Sequence, residues 1–427
     1  MGNGSSVSKQ KSHKPSPFQL EYHGEHAASV NCMALSEDAT ILATGSDDCS
    51  VRLWSTGTTY SSCLSTLEGH LKYVTSVYII ENYVISASAD KCLKKWDLST
   101  GDCLFTFEGH GGMVNRVICT EELVISSSYD GTARCWLLDP PTDLKDPKDA
   151  CVRVFRGHSK GVYPLVFLPR EEDNGIGGEE IDIPVDFLIT GSGDCTAKSW
   201  NIETGRCERT FRGHTGPVHS LAVQVEMDGF FLYTGSTDST IRSWDIPKGV
   251  QLKVFEGHDQ PVTALIASGR FLYSGSADRA AKSWVIEFGD NARTYKGHKH
   301  SVSCLLLDDG ILYTGSGDGL VRAFEAKTGV LRRVFRGHTY TVNCMKIVGG
   351  KLYTGSFDNS VRVWSLQAIK DSEDPYKFPK KVKLPVQESK SIVPSRVASA
   401  VSVRSTLSDP AINTYAYDTN NNTGIIK

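Results

Sequence analysis

One motif recurs eight times along the chain, in register, and it leaves little choice of architecture. Each copy begins with a histidine: His26, His70, His110, His158, His214, His258, His298 and His338. A hydroxyl residue follows, at Thr44, Ser86, Ser126, Thr190, Thr234, Ser274, Thr314 and Thr354. Four residues on stands an aspartate: Asp48, Asp90, Asp130, Asp194, Asp238, Asp278, Asp318 or Asp358. Six further on comes an aromatic: Trp54, Trp96, Trp136, Trp200, Trp244, Trp284, Phe324 or Trp364. A period of about 40 residues with Gly-His and Trp-Asp marks predicts an all-β, eight-bladed β-propeller with four strands per blade. One blade cannot bury its own faces, so the blades stack into a single ring and do not form separate domains.

The second repeat sets the strand pattern. Val74–Ile79 reads as the inner strand, Tyr83–Ala89 as the second, Leu93–Trp96 as the third and Cys103–Phe107 as the outer. Period-two alternation between turn residues favours strands over helices. The eighth repeat lacks an outer strand, because Asp371–Lys383 is charged and Pro-rich. Phe18, Leu20 and Tyr22 alternate with Gln19 and Glu21 before His23-Gly24, which predicts that residues 18–22 supply the missing strand and latch the ring. The alternative is a leader in front of a self-contained first blade. The propeller is thus expected over 18–368, with 1–17 a disordered leader and 369–427 a disordered tail rich in Ser, Pro, Lys and Asn. Two insertions break the period, Pro140–Asp149 and the acidic Pro169–Asp186. Both read as surface loops, the second also as a docking patch for a basic partner.

Net charge is −3, so nothing pulls the chain toward nucleic acid. No apolar run spans a bilayer and no secretory signal opens the sequence. Twelve cysteines without a Cys-x-x-Cys pair, four of them seven residues ahead of a motif histidine, read as repeat positions and not as disulfides. Together these features predict a cytoplasmic protein.

A Ser, a His and an Asp per repeat suggest a hydrolytic triad. Eight copies in one ring, none with its Ser on an elbow-like turn, argue against it. Over residues 18–367 the chain resembles the WD-repeat family. The resemblance implies that Asp, His, Ser/Thr and Trp form a hydrogen-bonded chain inside each blade. Phe324 has no N–H, so the seventh network is expected to be truncated and the blade less rigid. Asp318 should then matter less than Asp278. The family also carries a basic residue two before each aromatic, here Arg52, Lys94, Arg134, Lys198, Arg242, Lys282, Arg322 and Arg362. This is read as part of the blade and not as a polyanion-binding ring.

No residue set has zinc spacing and no Gly-rich phosphate loop appears, so no metal, cofactor or catalytic residue is expected. The resemblance implies a non-enzymatic interaction scaffold for a protein or peptide partner. Tyr73, Tyr129, Tyr163, Tyr340 and Phe357 lie beside the Gly-His loops or Asp turns and are the candidate anchors. A substrate receptor of a ubiquitin ligase is the alternative, although Trp96-Asp-Leu-Ser and Trp244-Asp-Ile-Pro lack the Arg of a cullin-adaptor box. The opening Met1-Gly2-Asn3-Gly4-Ser5-Ser6 fits N-myristoylation at Gly2, and Lys9, Lys11 and Lys14 would add weak membrane attraction. A solvated Gly/Ser-rich leader is the other reading.

Overall fold

In a computed structural model, described over residues 19–57, 62–169, 186–226, 229–367 and 369, the chain forms eight four-stranded antiparallel sheets. Their inner strands are Val30–Leu35, Val74–Ile80, Val114–Cys119, Val162–Leu168, Val218–Glu226, Val262–Ser268, Val302–Asp308 and Val342–Val348, which number the blades one to eight. Each inner strand packs against the next, and that of blade eight against that of blade one, so the ring is closed. In blade two the strands are Val74–Ile80, Tyr83–Ser88, Leu93–Asp97 and Cys103–Phe107, within a residue of the pattern read above.

The core lies between blades, in eight apolar clusters that each join two neighbours. The reason is geometric. Each sheet is apolar on both faces, and only an adjacent blade can cover them. The outer-strand aromatic of one blade rests on the tryptophan of the next: Phe107 on Trp136 at 5.8 Å, Phe211 on Trp244 at 5.6 Å, Phe335 on Trp364 at 5.6 Å. Close approach needs a bare backbone in places. A Cβ on Gly45 would fall 2.6 Å from Val74 Cγ1 of the following blade.

The ring is latched as expected, but in a different register. The N-terminal strand Gln19–His23 pairs antiparallel with Val361–Ser365, bringing His23 opposite Val361 and Tyr22 opposite Arg362. A bulge between Gln19 and Glu21 shifts the pairing by one residue. The other seven blades carry the same bulge at this place, but here the apolar residues of the alternation point out, Leu20 being 50% and Tyr22 56% exposed. The inward places go to Glu21 and to His23, whose ring lies 4.9 Å from Trp54. Arg362 compensates by bonding Gln19 Oε1 at 2.6 Å and covering the Tyr22 ring at 4.7 Å.

The 140–149 insertion is tied down and not free. A 3-10 turn, Pro147–Ala150, is capped by Asp146, buries Ala150 and lets Leu144 pack at the junction of blades two and three. Asp139, just ahead of it, pairs with the buried Lys95 of blade two. Ile369, expected in the tail, is buried among blades seven and eight. The acidic stretch 170–185, Gly2 with the rest of 1–18, and 370–427 lie outside the described residues.

Candidate protein-binding face

Seven blades carry the expected chain of hydrogen bonds in full. In blade two His70 Nδ1 donates to Asp90 at 2.8 Å, Ser86 bonds His70 Nε2 at 2.7 Å, and Trp96 Nε1 donates to Ser86 at 2.8 Å. Burial raises the Asp90 carboxyl, but the bonds from His70 and from the Leu71 and Cys92 N–H groups outweigh it and bring it to about 2. The same balance holds the other seven turn aspartates below the usual carboxylate range. Burial pushes His110, His298 and His338 down, so these rings stay uncharged at neutral pH. A neutral imidazole held between a carboxylate and a hydroxyl serves to fix two loops to one blade.

The same aspartates shape the turns. The residue after Asp takes positive φ, and in six blades it is not glycine: Cys49, Lys91, Cys195, Ser239, Arg279 and Asn359. In each, the Asp carboxylate accepts the N–H two residues on, as from Ser50 at 2.9 Å, which offsets the strain.

Blade seven lacks the indole link, as expected, and gains a bond that the other blades do not have. Arg322, only 7% exposed, turns inward. Its Nη1 donates to His298 Nδ1 and lies 3.1 Å from Asp318 Oδ2. His298 Nδ1 also lies 3.1 Å from Asp318 Oδ1, and its Nε2 lies 2.7 Å from Thr314 Oγ1, so Arg322, His298 and Asp318 form one cluster. Phe324 frees Arg322 to do this by leaving the indole's space open. The cross-strand Val334 is not the cause, since Arg134 and Arg242 also face a valine, Val154 and Val254, and stay on their own outer strands. A Cβ on Gly297 would meet Arg322 Nε at 3.2 Å, where one on Gly69 would meet the tip of Trp96 at 3.3 Å. In the other blades the basic residue stays within its blade, as Lys94 does on Thr106 at 2.9 Å, so the structural reading of this ring holds there.

The Gly-His loops and Asp turns share one face, joined by bonds such as Ala89 N to Tyr73 O and Phe357 N to Thr341 O. Around the mouth of the channel on that face runs a second ring of links. The second residue of each inner strand bonds the first carbonyl of the next blade: Asn31 to Val74, Thr75 to Val114, Asn115 to Val162, Thr263 to Val302, Ser303 to Val342 and Asn343 to Val30. Blades four and five put Tyr163 and His219 at that place instead. The Tyr163 ring stands 6.5 Å from Tyr129 and 5.3 Å from His219.

Seven stretches match the model of the WD domain, G-beta repeat: 18–55, 61–97, 101–136, 205–245, 249–284, 289–325 and 329–365, more than half of the chain. The chain belongs to the WD-repeat family. The stretch left unmatched holds the first three strands of the fourth blade, of which the first two are parted by residues 170–185. Human WD repeat-containing protein 86 is 41% identical over 204 residues, covering 48% of this chain and 52% of that protein. Mitochondrial division protein 1 of Candida glabrata is 25% identical over 214 residues, covering 46% of this chain and 23% of the relative. The chain thus spans about half the length of the first relative and a quarter of the second. Among solved structures, the computationally designed Ika8 protein superposes with a TM-score of 0.67 at 27% identity, over 81% of this chain and 98% of that one. Saccharomyces cerevisiae Sqt1 gives 0.71 at 17% identity, over 82% and 98%, a likeness of fold alone. Propellers of this family typically act as protein-interaction scaffolds.

On this WD-repeat ring the five aromatics singled out from sequence fall into groups. Tyr340 and Phe357 pack edge to face at 6.2 Å on blade eight, and both are exposed. Tyr129 is exposed and Tyr163 half-buried beside it. Tyr73 is exposed, with its hydroxyl 3.4 Å from Met113 Sδ of blade three. Sequence reasoning passed over Leu71, 86% exposed on the same face. Its position directly after a motif histidine was the available signal. It also passed over His219, which stands where six blades carry Asn, Thr or Ser. Among the described residues no group of three or more His, Cys, Asp or Glu side chains could hold a metal ion, and no helix is long and apolar enough to cross a membrane.

Proposed function

We propose that the protein is a non-enzymatic scaffold that captures a protein or peptide partner on the face of the Gly-His loops. The observation that carries this reading is the run of outward apolar side chains there: Tyr340 and Phe357 on blade eight, Leu71 and Tyr73 on blade two, Met113 and Tyr129 on blade three. Apolar side chains without a covering element favour a partner that desolvates them, and Tyr combines contact area with a polar tip. Rigid loops beneath them lower the ordering cost of binding. Proximity labelling in cells with wild type and the Tyr129→Ala/Phe357→Ala pair tests this. The labelled set should lose its strongest members while the thermal melt stays unchanged. An identical set from both proteins would overturn the reading.

The setting is proposed as cytoplasmic, with weak, salt-sensitive membrane attachment through an acylated Gly2. Met1-Gly2 with Ser6 and the lysines 9, 11 and 14 support it. Intact mass of protein made in eukaryotic cells should show the acyl chain. An unmodified or merely acetylated terminus, with Gly2→Ala fractionating like wild type, would remove this part.

A further inference from the structure

The face of the Gly-His loops is not uniform around the ring. Apart from its turn aspartate, blade five offers neutral residues there, Thr215 and Pro217 on its loop and Thr237 and Ser239 on its turn. Blade six carries Asp259 together with Arg279. Blades two to four combine exposed apolar side chains with exposed lysines. Leu71, Lys72 and Tyr73 are consecutive and all exposed, Lys91 is exposed on the turn of the same blade, and Lys160 is exposed on the loop of blade four. Between these two loops, that of blade three is Gly111-Gly112-Met113, whose two glycines leave a bare backbone for a chain to cross.

The rings of this sector are held in place. A Cβ on Gly161 would fall 3.1 Å from Tyr129 Cδ2, and one on Gly193 3.3 Å from Tyr163 Cε2, so both rings lie against bare backbone. Tyr129, Tyr163 and His219 form a line of rings from the turn of blade three to the channel mouth at blade five. The charge that a partner meets comes from the lysines. Asp90, Asp130 and Asp194 belong to the motif of every blade. Each accepts bonds from its histidine and from the N–H after that histidine, at 2.8 to 3.0 Å. Glu68 and Glu108 stand where the chain leaves the outer strands Cys63–Leu67 and Cys103–Phe107, at the outer end of the loops. Among the described residues none of the three lysines has a carboxylate partner. An ammonium beside apolar surface attracts a carboxylate more strongly once the same partner has displaced water and salt from around the pair.

We propose that blades two to four receive an acidic peptide segment with an aromatic or aliphatic anchor residue, which rests on the scaffold reading above and names the chemistry of its partner. The anchor sits over Met113 between Tyr73 and Tyr129, and carboxylates on either side of it meet Lys72, Lys91 and Lys160. Tyrosine at such a place contributes contact area at little ordering cost, and the lysines set the orientation of the segment. Single-stranded nucleic acid shares the attraction to lysine and tyrosine. Leu71 and Met113 offer it no ring to stack on, however, and the chain as a whole carries a net charge of −3.

The test presents a displayed library of short random peptides to the full-length folded chain and measures the selected peptides by fluorescence anisotropy. They should carry net negative charge around a Tyr, Phe, Trp, Leu or Met. Their affinity should fall about tenfold in Lys72→Glu/Lys160→Glu and in Tyr129→Ala, and about tenfold again as salt is raised from about 0.05 to about 0.5 M. Lys299→Glu, on the opposite side of the ring, should leave it unchanged. Thermal melts of these variants should coincide with wild type, because the side chains are exposed. Neutral or basic selected peptides, an equal loss in Lys299→Glu, or tighter binding of oligothymidylate than of the peptides would overturn the inference. Peptides that keep their affinity in Lys72→Glu/Lys160→Glu but lose it in Tyr129→Ala/Phe357→Ala would overturn the acidic partner and leave the scaffold reading standing. Selected peptides that respond to neither pair would remove both.

Discussion

Blades seven and eight each lack one standard part, and each is completed by a borrowed one. Blade seven has Phe324 where an indole should donate, and Arg322 moves in from two residues away. Blade eight has no outer strand of its own, and Gln19–His23 arrives from the far end of the chain. The local repair replaces a neutral donor by a buried charge, so it depends on one partner, Asp318. The distant repair keeps the ordinary ladder, but its ordering has to be achieved across the whole ring. A missing side chain and a missing strand are thus made good at different scales, and they should fail differently.

The largest expected effect concerns blade eight. Deleting residues 1–24 removes the strand ladder, the His23–Trp54 contact and the Arg362–Gln19 bond. It should cost roughly 3–5 kcal/mol at about one per lost hydrogen bond, whereas deleting 372–427 should leave the denaturation midpoint in place. A peptide spanning 16–26 added in trans should restore part of the loss. Equal midpoints for both deletions would mean that the strand does not hold the ring.

The next effect belongs to blade seven and reverses the order expected from sequence. Asp318→Ala strands the buried Arg322 guanidinium and should cost about 3 kcal/mol, against about 1–2 for Asp278→Ala in blade six, where no guanidinium is drawn in. Denaturant melts of the two variants decide it, and a larger loss for Asp278→Ala would restore the truncated-network view.

A double-mutant cycle sharpens the same point. Arg322→Ala should be costly in the wild-type background and mild once Phe324→Trp has refilled the indole's space, giving a coupling of about 1–2 kcal/mol. Additive losses would show that the two positions do not trade places.

The smallest effect is on pH dependence. Burial first, and then the Arg322 charge, hold His298 below the ordinary imidazole value, although Asp318 acts the other way. A histidine depressed in the folded state contributes stability above about pH 6.5 that is lost as the pH falls through that value toward the folded one. Arg322→Met should move the folded value back up and flatten this slope between pH 7 and 5. Parallel slopes for variant and wild type would argue that the guanidinium does not bear on the ring.

The blade count, the strand limits and the latch were legible because the repeat states them eight times and because closure leaves one strand unaccounted for. The register of the latch was not. The latch takes the same bulged pairing as the outer strand of the other seven blades, which sets Glu21 and His23 where blade two has Phe105 and Phe107, and polar residues at those two places hid the match. Phe324 was readable as a loss, whereas its replacement by Arg322 was not, because an Arg stands two before the aromatic in blades one, three, five and eight as well and does not turn in there. That Tyr129 and Phe357 are exposed was legible from their place before a turn Asp. Leu71 stood out less because it carries no ring, although it is 86% exposed.

The latch also has a consequence in time. Gln19 and Arg362, bonded in the finished protein, are 343 positions apart. At roughly 5–20 residues per second, a ribosome delivers the second of them about 20–70 seconds after the first. Throughout that interval the earliest strand to leave the tunnel has nothing to pair with, while blades one to seven can already stack behind it in order of synthesis. The nascent ring therefore passes through a long-lived open arc with two uncovered ends, and the cell must keep those ends apart from other chains until translation is nearly complete.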